Sequence, residues 1–544
     1  MQTMIRNLII TLILILATVG ITVKYFKNLN PPGKRSGKVM ADIPADAALI
    51  FEYKNDGSFY DIFKDNPLLS TLIGDQRTGE LKDLKTHLLD NPQLKQLFDG
   101  SSIFISLHPR PDGKNMDFLI TATGNDKLSG YVEQLAQRPD SSGMIIHEPK
   151  IAGKPGFNVY LNSTKRSLFL IADGDNNVSA SFSKALVEES VLYREKKHEN
   201  VFLQLSDQQN ANSVANLYVN YLQLSPLFDQ LFKSKNADLF RVFRQLPAGG
   251  ALTLNYKTDA LMFNGISKVE GADSKSYLGL FRYQQPAQNE LKDIFPATTA
   301  YSINFAVSDP VKFENNLFQW QIQNGYSTEK GQLFSRIKKE TGVELTKAFM
   351  DALGTEFAVI TTKYEEKIAL VKVKNGMKLR PYMVNISHML TDDVGQFNYD
   401  KLPFYLLGDA FSIFRRPYFM IVDNYLMICN SQEGLSGYYS NYTKGNFLSH
   451  NEEYRRFDNL QAERSNVSFF IHFKNAGQLL KSDLKAEYAM AFATEKTGWN
   501  NYYAAAYQFT ASENNFYTNF YMRVNMPDSL KTKKLDTATV AALQ

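Results

Sequence analysis

Two segments of the chain begin in nearly the same way, and this repetition limits the fold more than any other feature. "IPADAALIFEY" covers residues 43–53, and "FPATTAYSINF" covers residues 295–305. Pro44 and Pro296 lie 252 positions apart (296 − 44), and Ala48 and Ala300 keep that spacing. The repetition predicts that one supersecondary unit is built twice.

Further matches follow in the same order along the chain, at offsets of about 250 to 254 residues. They pair residues 97–105 with 349–359, 118–124 with 370–376, 128–135 with 379–386, 167–173 with 417–423, and 216–221 with 468–473. A single apolar strand resembles many others, but matches in one unbroken order are hard to obtain by chance. We therefore predict repeat 1 over residues 42–286 and repeat 2 over residues 291–526.

One matched pair has the spacing of an amphipathic helix. In each copy four apolar residues fall on one helix face; they are Leu128, Tyr131, Val132 and Leu135 in "KLSGYVEQL", and Leu379, Tyr382, Met383 and Ile386 in "KLRPYMVNI". Both faces are expected to be buried against a sheet.

Short turns join most of the strand-like segments, which predicts antiparallel pairing. Each copy should close with a hairpin, the first turning at residues 257–259 and the second at residues 511–514. The predicted class is α+β. It consists of two tandem copies of one mainly antiparallel sheet-plus-helices unit behind an N-terminal transmembrane helix. Residues 527–544 lose the strand pattern and are expected to form a loosely ordered tail.

The N-terminal segment is the candidate membrane anchor. Residues 7–23, "NLIITLILILATVGITV", carry no charge between Arg6 and Lys24 and are about long enough to span a bilayer core. The sequence around Thr18 and Gly20 is a poor cleavage site, so we expect a retained anchor. Residues 24–41, rich in proline, glycine and basic residues, read as a linker.

This anchor predicts a single-pass inner membrane protein that contacts the lipid bilayer through residues 7–23. The lysine-rich flank after the anchor favours a cytoplasmic domain. An N-terminal anchor before a large domain is ordinarily an export device, so we expect the domain in the periplasm.

Composition excludes several function classes. Hydrophobic residues make up 44% and charged residues 21%, as in globular proteins, and the net charge of +4 favours no nucleic acid partner. Cys429 is the single cysteine, which rules out an internal disulfide and a cysteine-rich metal site. Because nothing nearby in sequence would lower its pKa, we interpret Cys429 as a buried structural thiol rather than a nucleophile.

The sequence predicts no catalytic, cofactor-binding or metal-binding residue. None of the seven histidines forms a zinc motif, and "DGDNN" (173–177) lacks the glycine and glutamate of a calcium loop. No nucleophile elbow or nucleotide-binding glycine loop is present in the sequence. The dense Tyr and Phe residues of the last hairpin could stack on sugars or peptides, but packing across the sheet is favoured.

The motifs carry a family resemblance. An N-terminal anchor, the Pro-Ala-Asp-Ala opening at 44–47, "NPLL" at 66–69 and "LFDGSSIFISL" at 97–107 resemble a family of uncharacterised bacterial envelope proteins with a domain of unknown function. The resemblance covers most of the first copy and, more faintly, the second, and it implies a membrane-anchored envelope protein. It supplies no reaction, ligand or catalytic residue.

The expected function is a non-enzymatic, membrane-anchored envelope scaffold or binding protein with an envelope protein partner. One alternative is a hydrolase with its active site between the two repeats, which would require convergent Asp, Glu, His or Ser side chains. A second alternative is a hydrophobic-ligand binding protein, which would require a dry apolar cavity.

Overall fold

The computed structural model describes residues 39–55, 98, 101–110, 116–123, 130, 144–162, 165–172, 177–196, 202, 213–233, 248–257, 259–269, 276–493, 501–513 and 515–525. The predicted anchor at 7–23 and the tail at 527–544 lie outside these residues, as do Leu128, Tyr131, Val132 and Leu135.

The first half of the chain contains twelve described strands. They are β1 (Leu49–Lys54), β2 (Ser102–Pro109), β3 (Met116–Thr123), β4 (Met144–His147), β5 (Lys150–Ile151), β6 (Lys154–Pro155), β7 (Phe157–Leu161), β8 (Arg166–Ala172), β9 (Asn177–Ser181), β10 (Ala215–Asn220), β11 (Ala248–Lys257) and β12 (Ala260–Val269).

The second half also contains twelve described strands. They are β13 (Ala287–Gln288), β14 (Thr299–Ala306), β15 (Leu353–Thr362), β16 (Lys367–Val373), β17 (Ser387–Met389), β18 (Val394–Phe397), β19 (Tyr418–Val422), β20 (Tyr425–Cys429), β21 (Arg464–Ser465), β22 (Val467–His472), β23 (Tyr502–Ser512) and β24 (Asn515–Val524). The hairpins predicted at 257–259 and 511–514 are confirmed, since Lys257 faces Ala260 and Ser512 faces Asn515.

Eleven α-helices are described. They are α1 (Lys184–Glu195), α2 (Tyr221–Leu231), α3 (Pro310–Gln323), α4 (Ser327–Thr341), α5 (Leu345–Ala352), α6 (Gly376–Asn385), α7 (Leu402–Leu407), α8 (Gln432–Thr443), α9 (Glu452–Asp458), α10 (Phe473–Asp483) and α11 (Ala486–Ala493). The 3₁₀ helices are Leu278–Tyr283, Leu291–Ile294, Asp409–Phe411 and Leu448–His450.

Twenty of the strands form one antiparallel sheet, which corrects the predicted fold class. The two halves are not separate sheet units, because β12 pairs with β24 from Ala260↔Arg523 to Lys268↔Asn515. The open edge of a hairpin exposes a row of unpaired N–H and C=O groups. Pairing the last strand of one half with the last strand of the other satisfies both rows.

The expectation of a transmembrane helix in front of the sheet is also unsupported. No helix in the described part of the chain is long and apolar enough to cross a membrane, and the segment expected to do so lies outside that part.

From the β12–β24 seam, each half runs outward through ten strands. The first half follows the order β12, β11, β10, β1, β2, β3, β9, β8, β7, β4. The second follows β24, β23, β22, β14, β15, β16, β20, β19, β18, β17. The repeat boundaries at 42–286 and 291–526 stay a prediction.

Helices α2 and α10 join the halves on one face of the sheet. Phe232 and Leu484 form an antiparallel bridge just beyond the two helices. The backbone N–H of Lys233 donates to Asp483 O at 2.8 Å, and that of Lys485 donates to Leu231 O at 3.0 Å. Tyr221 and Leu224 of α2 share an apolar cluster with Phe305 of β14, so the core spans both halves.

The sheet of the second half is buried on both faces. Phe357 and Val359 of β15 pack in the cluster beneath helices α3 to α7, and Ala358 and Ile360 pack in the cluster beneath α8 and α9. Alternate residues of a strand point to opposite faces. The continuous apolar run in "FAVI" is therefore the pattern expected of a doubly covered strand.

The predicted face of α6 is largely confirmed. Leu379, Met383 and the following Ile386 are buried, whereas Tyr382 is 43% exposed. In the first half the residues that cover the sheet include Val39 and Met40, which are buried with Phe104. Packing therefore begins by Val39, inside the segment assigned to the linker.

Candidate functional site

A buried Ser–His–Asp arrangement lies in the first half of the sheet. Ser106 and His108 are two residues apart on β2, so their side chains share one face. Ser106 Oγ and His108 Nε2 share a hydrogen bond of 2.8 Å, and His108 Nδ1 donates to Asp46 Oδ1 at 2.7 Å. These are the distances at which a base activates a hydroxyl and a carboxylate orients the base.

A network of charges holds this arrangement. Arg110, the residue after β2, lies 3.9 Å from Asp46, 3.4 Å from Asp117 and 3.1 Å from Glu189 of α1. Gln230 of α2 donates to the backbone oxygen of Arg110 at 2.8 Å. Asp46 therefore has both a cation and an imidazole as partners.

The Ser106–His108–Asp46 arrangement is largely covered in this structure. Ser106 and His108 are fully buried, and the Asp46 side chain is 30% exposed. The cover is the segment 39–48, whose Val39, Met40 and Ile43 pack against the sheet. The three residues thus tie the repeated opening motif to β2, and the Ser106 hydroxyl does not face solvent.

The second half lacks the same side chains at the matching register. Ser106 lies opposite Ile50 of β1, and Ile360 of β15 lies opposite Ser302 of β14. Thr362 occupies the position two residues beyond Ile360, as His108 does beyond Ser106. The Ser–His–Asp arrangement therefore belongs to the first half alone.

His472 is a second buried histidine, at the end of β22. Burial, with a smaller contribution from Lys474, lowers its pKa to about 4. Its ring lies 5.0 Å from that of Tyr503, and within the described residues neither His472 Nδ1 nor the Tyr503 hydroxyl has a hydrogen-bond partner. The ring is neutral at physiological pH.

Glu356 is a buried carboxylic acid on β15. Its oxygens accept from the backbone N–H groups of Glu290 and Leu291 at 3.1 to 3.2 Å, and Lys372 lies 3.9 Å away. Burial outweighs these partners and raises the pKa of Glu356 to about 7. Since the carboxyl binds the 3₁₀ helix Leu291–Ile294, it fixes the connection between the two halves.

The remaining histidines and the cysteine of the described residues do not form a further site. His147, His388 and His450 are exposed, while His87 and His198 lie outside the described residues. Over the ranges that the structure covers, no three His, Cys, Asp or Glu side chains are placed to bind a metal ion. Cys429 is buried, and burial raises the pKa of its thiol, which agrees with its interpretation as a structural residue.

An apolar pocket lies beneath helices α5, α6 and α7. Its walls are entirely hydrophobic and include Phe349, Met383, Leu402 and Ile428. Its volume of about 10 Å³ is enough for about one water molecule. A pocket of this size is too small for a hydrophobic ligand and does not favour that alternative.

Helix α3 carries apolar side chains on two opposite faces. Asp309 caps its first turn by accepting from the N–H groups of Val311 and Lys312, both at 3.0 Å. Phe313, Leu317 and Trp320 form the buried face. Val311, Phe318 and Ile322 point away from the core and are 65%, 42% and 46% exposed; we refer to these three residues as the α3 stripe.

Cations lie beside the α3 stripe. Arg282 and Lys312 both lie over the ring of Tyr283, at 4.8 and 5.9 Å from its centroid. Lys330 of α4 lies 5.7 Å from the ring of Phe318. The stripe is thus an exposed apolar surface that lies beside the ring of Tyr283, and exposed apolar patches mark interaction sites.

Comparison with known proteins supplies no relative. No protein family, curated protein or solved structure matches the chain. The functional reading therefore rests on the geometry of the described residues.

Sequence reasoning missed both candidate sites. Asp46 and His108 are separated by 62 positions, and no local motif connects them. The α3 stripe left a detectable signal, since "PVKFENNLFQWQIQ" has apolar residues at 311, 318 and 322 as well as on the buried face. A helix that is apolar on two faces is expected to be covered on both.

Proposed function

We propose that the protein is a membrane-anchored, non-enzymatic binding protein of the bacterial cell envelope. The observation that carries this proposal is the α3 stripe, formed by Val311, Phe318 and Ile322. The anchor is the segment 7–23, and the folded part lies in the periplasm, because an N-terminal anchor before a large domain is ordinarily an export device and long domains translocate despite flanking charge.

The stripe is suited to a protein partner. At about 100° per residue, its three side chains fall within an arc of about 40° on the helix. Isolated exposed apolar residues are common on protein surfaces, whereas aligned ones mark interaction sites. A few closely spaced side chains supply most of the free energy of binding at a typical interface.

Site-specific photocrosslinking in cells tests the binding function. A photoreactive phenylalanine analogue at position 318 should crosslink to another envelope protein. The same analogue at Tyr439 of α8, which is 40% exposed on a helix that packs on the opposite face of the sheet, should not. No crosslink from position 318 or 322 would contradict the proposed function.

A reporter fusion tests the anchor and its direction. Alkaline phosphatase fused to the C-terminus should be active if residues 7–23 export the domain. An inactive fusion in a stably expressed protein would show that the lysine-rich flank keeps the domain in the cytoplasm.

A hydrolase is the second candidate, and the Ser106–His108–Asp46 arrangement favours it. In that case segment 39–48 would have to move away from β2 to expose the Ser106 hydroxyl. A fluorophosphonate probe would then label the wild-type protein and not the Ser106→Ala variant. Equal labelling of the two proteins, or none, would reject this candidate.

A further inference from the structure

Lys330 of α4 is a buried lysine whose nearest neighbours are aromatic rings. The residue is 7% exposed, and within the described residues no carboxylate lies within 4 Å of its amine. The amine lies 5.7 Å from the ring centroids of both Phe318 on α3 and Phe334 on α4. An ammonium group in such a position loses hydration and gains no ion pair. The surroundings of Lys330 therefore disfavour the charged form of its amine.

The charged groups near Lys330 do not reverse this effect. Burial lowers the pKa of Lys330, and the carboxylate of Glu314 on α3 opposes the shift without cancelling it. Glu329, which precedes Lys330 on α4, pairs instead with Lys401 at 3.0 Å. The distance of 5.7 Å to each ring is close to the outer limit of about 6 Å for a cation–π contact. At pH 7 the amine is therefore neutral, and nucleophilic, more often than that of a solvated lysine.

The neighbours of the amine also limit the reaction that it can perform. An amine forms an imine with an aldehyde when its nitrogen bonds to the carbonyl carbon and the carbonyl oxygen leaves as water with the two amine protons. This step needs no oxidant or reductant. Acyl transfer would also need donors that stabilise an oxyanion, and Phe318, Phe334 and Glu314 supply none. The two phenyl rings are suited to stacking against the ring of an aromatic aldehyde.

We propose that Lys330 is a covalent binding site for aromatic aldehydes, which it holds as an imine between Phe318 and Phe334. The ring of Phe318 is 42% exposed, so the aldehyde enters from the solvent side of α3. The imine is reversible, because water releases the aldehyde again. This inference goes beyond the protein-binding function of the α3 stripe and does not depend on it.

Reductive trapping in the full-length protein tests this site. The protein is treated at pH 7 with benzaldehyde and sodium cyanoborohydride, which reduces the imine to a stable benzylamine, and the modified lysines are mapped by mass spectrometry. Lys330 should react about fivefold faster than Lys339, an exposed lysine on the same helix. Glu314→Gln removes a carboxylate that favours the ammonium form, so it should raise the rate at Lys330 about twofold. Glu463→Gln, at an exposed carboxylate, should leave that rate unchanged.

A second aldehyde separates recognition by the rings from reactivity of the amine. The ratio of benzaldehyde to acetaldehyde labelling should be about threefold higher at Lys330 than at Lys339, and Phe334→Leu should lower this ratio. Labelling of Lys330 that is no faster than that of Lys339, or that does not rise in Glu314→Gln, overturns the reactive amine. Equal ratios at the two lysines overturn the preference for aromatic aldehydes. Each of these results leaves the binding function of the α3 stripe standing, since crosslinking from position 318 tests that function separately.

Discussion

Glu356 and His472 are buried ionisable residues whose pKa values shift in opposite directions. Burial favours the neutral form of each, which raises the pKa of the acid to about 7 and lowers that of the imidazole to about 4. Each group therefore links folding to pH, and the two effects oppose each other in the weakly acidic range.

Glu356→Gln should flatten the pH dependence of stability between about pH 4.5 and 7. The folded protein holds the Glu356 proton more tightly than the unfolded chain. The stability from this group is therefore complete at acidic pH and is lost as pH rises to about 7, by up to about 3 kcal/mol. Urea unfolding at several pH values measures this loss. Glu463→Gln, at an exposed carboxylate, is the control, and an unchanged slope in Glu356→Gln would contradict the prediction.

His472→Phe should remove a loss of stability on the acidic side. Unfolded histidine takes up a proton below about pH 6.5, whereas folded His472 stays neutral down to about pH 4. The stability from this group is thus present above about pH 6.5 and falls as pH drops through that window. Phenylalanine keeps a ring against Tyr503 and cannot titrate. Thermal unfolding between pH 4 and 7 should show a shallower decline in this variant, and a decline as steep as that of the wild type would disprove the assignment.

Among the elements, β12 tolerates substitution least, because it joins the two halves and is paired with a strand on each side. A Cβ atom at Gly265 would lie 2.0 Å from the backbone oxygen of Ala251 on β11. Backbone atoms of a central strand cannot yield to such a contact without distorting the sheet. The close approach explains why glycine stands in the middle of a seam strand.

Gly265→Ala should destabilise the protein by about 1–3 kcal/mol or more, because the added methyl overpacks the β11–β12 pair. Gly437→Ala is the matched control. Gly437 lies within α8, and a Cβ there would meet no atom within 4 Å. That substitution should be neutral or stabilise the helix by up to about 1 kcal/mol. Chemical unfolding of both variants checks the difference, and equal effects would contradict it.

The whole molecule is held together by a sheet and a core that cross the boundary between the predicted repeats. The β12–β24 seam is continuous, and the hydroxyls of Tyr221 and Ser267 in the first half contact Tyr507 and Thr518 in the second. Separating the halves would expose two strand edges and this buried network. One cooperative unfolding unit is therefore expected.

Leu252→Ala tests this cooperativity. Leu252 is fully buried on β11, and its truncation should cost about 2–5 kcal/mol. Both tryptophans, Trp320 and Trp499, lie in the second half of the sequence. Their fluorescence should nevertheless report the lowered midpoint to the same extent as circular dichroism does. A tryptophan transition that stays at the wild-type midpoint would show that the halves unfold separately.

Several elements could be predicted from the local sequence pattern. The two closing hairpins, the buried positions of α6 and the structural role of Cys429 follow from period, turn residues and polarity, which are properties of neighbouring residues. Tyr382 was placed wrongly on the buried face because helical spacing does not show where the covered arc ends. The membrane anchor at 7–23 and the repeat boundaries stay predictions from the sequence.

The sequence by itself determined the antiparallel strand pattern and the helical faces, since both depend on contacts between residues close in the chain. Only the tertiary structure decided that the last hairpins of the two halves pair into one sheet. It also decided that Asp46 meets His108 and that one face of α3 is left uncovered. Pairing of distant strands and convergence of distant side chains depend on the path of the whole chain, and no local period records that path.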